Sequence, residues 1–448
     1  MTDAAHAIPY VPAAHPQDLV RRDLAYWGFA AQIVVLVLLQ KFVLPIPGAP
    51  ISLPLVTLYG WLAYMLLTSR LHVSYPRLLM VGVFFATATI SQVIANRPIS
   101  LLSYLELLLL YSPFVLVWKV TAQQHLRLMS VFQDAMLIGA AMVFVQLASQ
   151  AAFGLGDLPS LEKFVPKFLL LQGFNYAPPI AWGDAFIRPN GFFFLEPSFA
   201  SSFLAAALLI ELMFFHRMSR VLVYGGALLG TVAATGILMV LIAGAPLMLA
   251  RRGRAVVLAA AAGALGIVTA YYSGLLEHLT GRFAELGLRN SSGFQRLVAP
   301  LHQLSGVFAD PAHLVTGLGA GNAIENGVSL WPIAKVMVEY GALPGVLFLA
   351  AMGTCMLGTA NAPLALALFV AFNFTGGFLL NPVSVIQILL LVSFLAIRAP
   401  RFAVHRPAGA ARLLSRARAA ALSQLAPRAG RHAANPTAPR AVPPRRLA

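Results

Sequence analysis

The chain has 448 residues, of which 59% are hydrophobic and only 10% are charged, and its mean hydropathy is +0.79. Soluble domains carry roughly 25% charged residues, so the composition excludes an ordinary soluble protein and predicts a polytopic membrane protein. A net charge of +16 would favour nucleic-acid binding in a soluble chain. Here the basic residues lie mainly in short loops and a tail, where membrane topology and anionic lipid explain them, and we predict no nucleic-acid partner.

Apolar runs of about 20 residues predict membrane-spanning helices. They lie at about 27–46, 51–68, 78–95, 100–119, 129–152, 191–214, 255–273, 342–358, 362–379 and 383–398. A further apolar run, 221–250, is 30 residues long, which is too long for one crossing and short for two. A hairpin of two short helices turning near 233–236 keeps the arginines at 251–254 on the same side as the other basic loops. We therefore predict an all-α fold with about twelve transmembrane helices and both termini in the cytoplasm.

These spans divide the chain into three parts. We predict that residues 1–26 form a cytoplasmic segment and residues 27–398 the membrane domain. Residues 399–448 are a basic tail rich in Ala, Arg and Pro, which we predict to be cytoplasmic and either disordered or partly helical on an anionic membrane surface at about 409–425. Two larger loops, at about 154–190 and 274–330, are predicted on the outer face. In the first loop, basic and apolar residues at helical spacing predict a short helix on the membrane surface, at Lys163, Phe164, Lys167, Phe168, Leu169 and Leu170.

Three arginines mark the second loop. Arg282, Arg289 and Arg296 are spaced by seven residues, and Glu285 follows the first of them by three, so a helix here would place all four on one face. One carboxylate cannot neutralise three guanidinium groups, and such a surplus suits a phosphate or pyrophosphate ligand. The alternative is a solvated basic face, interrupted by the Ser-Ser-Gly sequence at 291–293.

An arginine and a glutamate flank the start of the sixth predicted span. Arg188 and Glu196 lie on either side of Gly191, and Pro197 follows the glutamate. An ionisable residue at the entrance to a membrane segment is costly and indicates function. Glu196 is either a structural salt-bridge partner of Arg188 or a general base that takes a proton from a sugar hydroxyl.

Other charges inside predicted spans are open to two interpretations. Glu106 and Asp134 either belong to a polar path or are paired structurally. Glu211 lies close to His216 and Arg217, and we predict that it extends to the inner interface.

A glycine-rich segment, Gly-Leu-Gly-Ala-Gly-Asn at 317–322, lacks the strand and helix of a nucleotide-binding unit. It is predicted to be a turn where backbone approaches a ligand. Lys335 and Glu339 follow with a spacing of four, which on a helix gives an ion pair. Glu339 precedes the entrance to the next span and is the stronger candidate for function.

Metal and thiol chemistry are not predicted. His278, His302 and His313 lack metal-ligand spacing, and Cys355 is the single cysteine, so no intramolecular disulfide can form. We predict no metal and no cofactor.

Several short motifs, taken in order, resemble the bacterial O-antigen ligase and Wzy-type polymerase superfamily. They are Arg-Pro-Asn-Gly-Phe at 188–192 with Glu-Pro-Ser at 196–198, then Ser-Gly-Phe-Gln-Arg at 292–296, the glycine-rich segment at 317–322, and Glu-Tyr-Gly at 339–341. The similarity covers roughly residues 185–350.

Members of this superfamily are metal-independent glycosyltransferases of the bacterial inner membrane with a periplasmic active site. They transfer a glycan from undecaprenyl pyrophosphate to a sugar hydroxyl. The resemblance implies that Arg188, Arg282, Arg289 or Arg296 holds the pyrophosphate. It also implies a site for pyrophosphate or glycan at Asn322, Trp331, Lys335 and Tyr340. A chain-length regulator and a flippase of the same pathway are implied as partners, together with membrane lipids.

Two departures from the family pattern favour a polysaccharide polymerase. Ligases carry a His-Asn pair about nine residues before the glutamate that matches Glu339, where this chain has Leu330 and Trp331. They also carry Asn-Pro or His-Pro at the position of Glu196-Pro197. Without that histidine, Glu196 or Glu339 becomes the candidate base, and His302 is a weaker one. An O-antigen ligase and a transporter of lipid-linked glycans remain the alternatives.

Overall fold

The computed structural model describes residues 24–46, 50–95, 98–154, 159–179, 185–250, 294, 298–323, 330–357, 359 and 361–397. The described part is mostly helical. Outside it lie most of the predicted N-terminal segment 1–26, the predicted span 255–273, the tail 399–448 and three predicted anion-binding residues, Arg282, Arg289 and Arg296.

Fourteen α-helices occur in these described ranges. They are α1 Leu24–Leu38, α2 Leu53–Leu67, α3 Tyr75–Ala95, α4 Leu101–Tyr111, α5 Ala122–Phe153, α6 Pro197–Ile210, α7 Met218–Gly230, α8 Ala234–Ala250, α9 Ala299–Val307, α10 Pro311–Thr316, α11 Pro332–Tyr340, α12 Ala342–Met356, α13 Ala362–Ala371 and α14 Pro382–Ile388. Short π-helical segments extend α6, α13 and α14, at Glu211–Phe215, Phe372–Gly376 and Leu389–Ser393.

Three of these helices are long and apolar enough to cross a membrane: α3, α5, and α6 with its extension to Phe215. Eight further helices in the described ranges are apolar but shorter, with lengths of 10–17 residues. This composition is consistent with a helical membrane protein.

The predicted break in the apolar run 221–250 is confirmed. Helix α7 ends at Gly230 and α8 begins at Ala234, and α8 packs extensively on α6. Ser201 of α6 fixes the turn, because its hydroxyl donates to the Ala233 carbonyl at 3.0 Å and accepts from the Gly236 amide at 2.8 Å. A Cβ at Gly236 would lie 2.2 Å from the Ser201 carbonyl oxygen, so this close approach requires glycine.

The all-α prediction was wrong at the ends of several spans, where short strands form. Strands β1 Val43–Leu44 and β2 Ile51–Ser52 make a hairpin, while β3 Leu71–Val73, β4 Leu116–Val120 and β5 Leu395–Ile397 make a three-stranded sheet. Pro113 interrupts the fourth predicted span, and the valine-rich segment after it favours a strand. We call the end of the helix bundle that carries the three-stranded sheet the sheet end.

The opposite end of the bundle, which we call the loop end, is made by 39–46, 50–52, 98–100, 159–179, 185–192, 317–323 and 377–381. Its contacts join segments that are distant in the chain. The Ser100 amide donates to the Ala320 carbonyl at 2.8 Å, and the Leu171 amide donates to the Lys41 carbonyl at 2.8 Å.

The prediction of a surface helix in 154–190 was also wrong. The segment forms two short 3₁₀ turns, Leu161–Lys163 and Lys167–Leu169, separated by Pro166, which lacks the amide hydrogen that a continuous helix needs. Phe164 and Phe168 are exposed, whereas Leu170 is buried and forms a β-bridge with Phe42. The loop is therefore held by contacts with the residues that follow α1.

Two acidic residues from predicted spans are paired structurally. Glu211 is fully buried, and its carboxylate accepts hydrogen bonds from Nε and Nη2 of Arg217 at 2.9 and 2.8 Å, so the prediction that it extends to the inner interface was wrong. Asp134 pairs with Arg220 at 2.8 Å. The structural interpretation therefore holds for Asp134.

Candidate functional site

A cavity of about 1390 Å³ lies at the loop end of the bundle. Its walls are mostly apolar and come from α2, α3, α4, α11 and the segments 171–174 and 378–382, with side chains such as Leu55, Phe85, Leu102, Leu105, Leu109 and Phe378. Three charged side chains belong to this lining, those of Glu106, Glu196 and Lys335. A large apolar cavity with a few polar groups is the usual form of a ligand site.

Glu196 is held at the first turn of α6. Its backbone is extended, Pro197 follows as the first helical residue, and the peptide amides of α6 favour a negative charge here. One carboxylate oxygen accepts from the Asn175 amide at 3.2 Å, and the other accepts from the Ser198 hydroxyl at 3.1 Å. The carboxylate is thus oriented by two donors while it faces the cavity.

The turn before Glu196 explains why the sequence reads Asn-Gly-Phe. Gly191 and Phe192 both adopt left-handed backbone, with φ of 65° and 64°. Asn190 is fully buried, and its carbonyl oxygen accepts from the Gln146 side chain and from the Phe192 amide, each at 3.0 Å. Gln146 in turn accepts from the Gly191 amide at 2.8 Å. Helix α5 therefore fixes the direction in which the chain enters α6.

A buried lysine, not identified from the sequence, supports the same turn. The Lys41 ammonium is fully buried and donates to Glu162 at 2.6 Å and to the Phe192 carbonyl at 2.7 Å, and it lies 5.0 Å from the centre of the Tyr176 ring. Burial, and after it the carboxylates of Glu162 and Glu196, raises the pKa of Tyr176 to about 12. Its phenol therefore stays protonated at neutral pH. A single lysine in an apolar run gives no local sign of these partners.

Helix α11 carries both Lys335, which lines the cavity, and Glu339, which lies behind Lys335. Lys335 Nζ lies 3.7 Å from Glu339 Oε1, which confirms the predicted ion pair one helical turn apart. The Glu339 side chain is fully buried and is absent from the described cavity lining. Burial raises its pKa, against the opposing effects of Lys335 and of the Gly321 and Ala323 amides.

The glycine-rich segment closes on the protein itself. The Leu318 and Gly319 amides donate to the carbonyls of Val338 and Glu339, at 2.7 and 3.0 Å. Gly317 has φ of 69°, and a Cβ there would lie 2.5 Å from the Glu339 backbone. The backbone approach predicted for a ligand is thus made to the end of α11.

Of the predicted site residues that the structure describes, Glu196 and Lys335 line the cavity and six do not. Asn322 donates to the carbonyls of Pro98 and Leu318, both at 2.9 Å, and so joins two backbone segments. Tyr340 is buried with its ring 6.5 Å from that of Tyr104. These contacts show that Asn322 and Tyr340 join segments of the described structure.

The other predicted site residues lie around the loop end. Arg188 Nε donates to the Pro179 carbonyl at 3.1 Å, and the Trp331 ring lies 6.5 Å from that of Phe374. His302 is exposed on α9 and stacks on Phe294 at 6.3 Å. Glu339 lies behind Lys335, outside the cavity lining.

Glu106 is the charged cavity residue that the sequence left undecided. It projects from α4 into the same cavity as Lys335. The signal was a carboxylate within an apolar helix, but Lys335 is more than 200 residues away in the chain, so spacing could not show that the two residues share a cavity.

No protein-family model matches the chain, and no curated protein or solved structure matches it either.

Proposed function

We propose that this protein is a Wzy-like polysaccharide polymerase. It transfers a glycan from undecaprenyl pyrophosphate to the terminal sugar hydroxyl of another lipid-linked repeat unit. The observation that carries the proposal is the cavity of about 1390 Å³ in which apolar walls surround Glu106, Glu196 and Lys335. Such a lining suits an amphiphile with a long hydrocarbon tail and a charged head.

The chemistry assigns separate tasks to Glu196 and Lys335. The acceptor hydroxyl oxygen attacks the anomeric carbon, the bond from that carbon to the pyrophosphate oxygen breaks, and the lipid pyrophosphate leaves with the electron pair. The Glu196 carboxylate takes the hydroxyl proton as general base. The Lys335 ammonium lies where it can stabilise the negative charge that develops on the leaving group.

Pyrophosphate carries more charge than one ammonium can balance. Arg188, Arg282, Arg289 and Arg296 are proposed to supply the remaining positive charge, as the surplus of arginines in the sequence suggests. The reaction as proposed needs no metal and no cofactor.

The same proposal sets the place of the protein in the cell. The loop end faces the periplasm and the sheet end the cytoplasm, in a bacterial inner-membrane protein with about twelve crossings. The confirmed break between α7 and α8 supports this arrangement, because two crossings in place of one would return the chain to the side of the other basic loops.

The test is transfer in proteoliposomes that contain purified protein and lipid-linked repeat units. Wild type should produce a ladder of lengthened glycans on a gel. Glu196→Gln should reduce the rate by roughly 10²–10⁴-fold, the usual contribution of a general base. Lys335→Met should also reduce it, whereas Lys167→Met, the same change at an exposed loop residue, should not. Absence of a ladder with wild type would contradict the polymerase.

The position of Glu106 favours one further candidate. A carboxylate that lines a cavity from within a membrane helix is typical of transporters. In the same vesicles, glycan that crosses the bilayer without lengthening would identify a transporter of lipid-linked glycans. Glycan that appears on added lipid A would identify an O-antigen ligase.

A further inference from the structure

A second, smaller cavity lies between α6, α8, α13 and α14. Its volume is about 40 Å³, and its lining includes four hydroxyls and one carboxamide, from Ser198, Ser202, Thr235, Ser384 and Gln387. We call it the hydroxyl pocket. So many polar groups among apolar helices are costly unless they have hydrogen-bond partners.

Gln387 supplies the observation that points to a ligand. Its side chain is 4% exposed, and its Nε2 group is buried without a hydrogen-bond partner among the described residues. A buried donor without a partner is destabilising, so a small acceptor in the pocket would be stabilising. A cavity volume of only about 10–15 Å³ is enough for one water molecule, provided that two to four polar groups line the cavity.

The hydroxyl pocket adjoins the large cavity. Phe199 lines the pocket and Phe378 lines the large cavity, and their rings stack with centres 6.4 Å apart and planes 7° apart. Ser198 lines the pocket and donates to Glu196 at 3.1 Å. The serine therefore connects the two sides of this aromatic wall.

We propose that the hydroxyl pocket binds a small cluster of water molecules, which Ser198 connects to the Glu196 carboxylate. Water suits the lining because it can accept from Gln387 and donate to the hydroxyl oxygens at once. The volume accommodates a few such molecules and no sugar or lipid headgroup.

A proton path follows if Glu196 acts as the base, and this step rests on the proposed function. Once Glu196 holds a proton, its hydrogen bond with Ser198 reverses. The carboxyl then donates to the serine oxygen, and the serine hydroxyl proton passes to a pocket water. The proton count is unchanged, and the carboxylate is regenerated for the next transfer.

X-ray radiolytic footprinting tests the water site without any substrate. Radiolysis of bound water oxidises side chains beside it even when they are buried. Met239 is fully buried and its sulfur lies 3.3 Å from the Ser202 hydroxyl, while Met136 and Met356 are equally buried in the apolar core. Met239 should be oxidised several-fold faster than either control. Protection of Met239 at the level of the controls would overturn the proposal.

A variant sharpens the assignment. Gln387→Leu keeps the approximate volume but removes the amide, and it should bring Met239 oxidation down to the level of Met136 and Met356. Unchanged slow oxidation of those two methionines shows that the variant is folded. Rapid oxidation of Met239 that persists in Gln387→Leu would place the water outside the hydroxyl pocket and contradict the assignment.

Ser198 is tested as a positioning residue through the pH profile of transfer. Ser198→Ala should shift the pH of half-maximal rate, and Ser198→Thr, which restores a hydroxyl, should return it towards wild type. An unshifted profile would refute the connection to Glu196. Wild type without any transfer would instead refute the proposed function, and the footprinting result would be unaffected.

Discussion

At the scale of single residues, Glu339 lies outside the cavity lining but influences the charge of the cavity through Lys335. Its carboxylate is fully buried and lies 3.7 Å from the ammonium of Lys335, which itself lines the cavity. Burial outweighs the lysine and the nearby amides, so the pKa of Glu339 is raised. The proton on Glu339 therefore affects how strongly Lys335 acts on a ligand.

Replacement of Glu339 by glutamine tests this balance. A raised pKa means that the folded protein keeps the proton at pH values where the unfolded chain has lost it. The resulting stabilisation is complete below the unfolded pKa and is lost as the pH rises through the folded pKa. Glutamine stays neutral at every pH. The melting temperature of Glu339→Gln relative to that of wild type should therefore rise as the pH increases across this window. A tenfold difference in proton affinity between the folded and unfolded states corresponds to about 1.4 kcal/mol.

The measurement is thermal unfolding in detergent from pH 4 upward. Asp310→Asn is the matched control, because Asp310 is half exposed, caps α10 and can be replaced there by asparagine. A melting temperature for Glu339→Gln that falls behind wild type with rising pH would show that the ion pair outweighs burial.

The sequence identified some residues of the candidate site but not the side chains that they contact. It selected Glu196 because a charge near an apolar segment needs a functional or structural reason, and the family resemblance added Lys335; both line the cavity. The same signal selected Glu339, and the resemblance added Tyr340; both are buried. Whether a side chain forms the wall or lies behind it depends on contacts between distant helices, and local sequence does not contain them.

At the scale of elements, the glycine-rich segment fixes α11 and so the position of Lys335. Its amides bind the last carbonyls of α11, and Gln92 of α3 donates to the Glu339 carbonyl at 3.1 Å and accepts from the Ala320 amide at 2.7 Å. These bonds satisfy carbonyls that a helix end leaves unpaired.

Gly317→Ala should disrupt this attachment. The added Cβ would lie 2.5 Å from the Glu339 carbonyl oxygen in a backbone conformation that disfavours alanine, at a cost of roughly 1–3 kcal/mol. Thermal unfolding should show the loss, and transfer should fall with it. Gly306→Ala is the control, since Gly306 lies in α9 with no described atom within 4 Å of where its Cβ would lie, and alanine there should be neutral or stabilising. Equal effects at both positions would contradict the role of Gly317.

Helices were predicted more accurately than the segments that join them. The break between α7 and α8 followed from charge and length, which are local quantities. The three-stranded sheet did not, because β4 pairs with β3 and β5 across long stretches of chain. The 3₁₀ turns at 161–169 depend on Pro166 and on contacts with Phe42 and Lys41, and amphipathic spacing alone suggested a helix.

At the scale of the whole molecule, the described cavity combines segments from most of the chain, from Pro50 to Pro382. Three of its apolar wall residues, all on α4, are accessible: Leu102, Leu105 and Leu109, at 64%, 50% and 43%. An apolar ligand in the cavity would therefore contact the side chains of α4. We infer that an amphiphile enters from the lipid with its tail along α4 and its head towards Glu196 and Lys335.

The most direct measurement of this claim is site-directed photo-crosslinking to radiolabelled undecaprenyl pyrophosphate. A benzophenone amino acid replaces Leu105 in the cavity wall or, as the control, Leu126, which is 39% exposed on α5 near the sheet end. A labelled adduct is expected at position 105, reduced by unlabelled lipid pyrophosphate and by Lys335→Met, with little adduct at position 126. Equal labelling at both positions, without competition, would contradict the account, because it would mean that Leu105 meets the lipid only as part of the membrane surface.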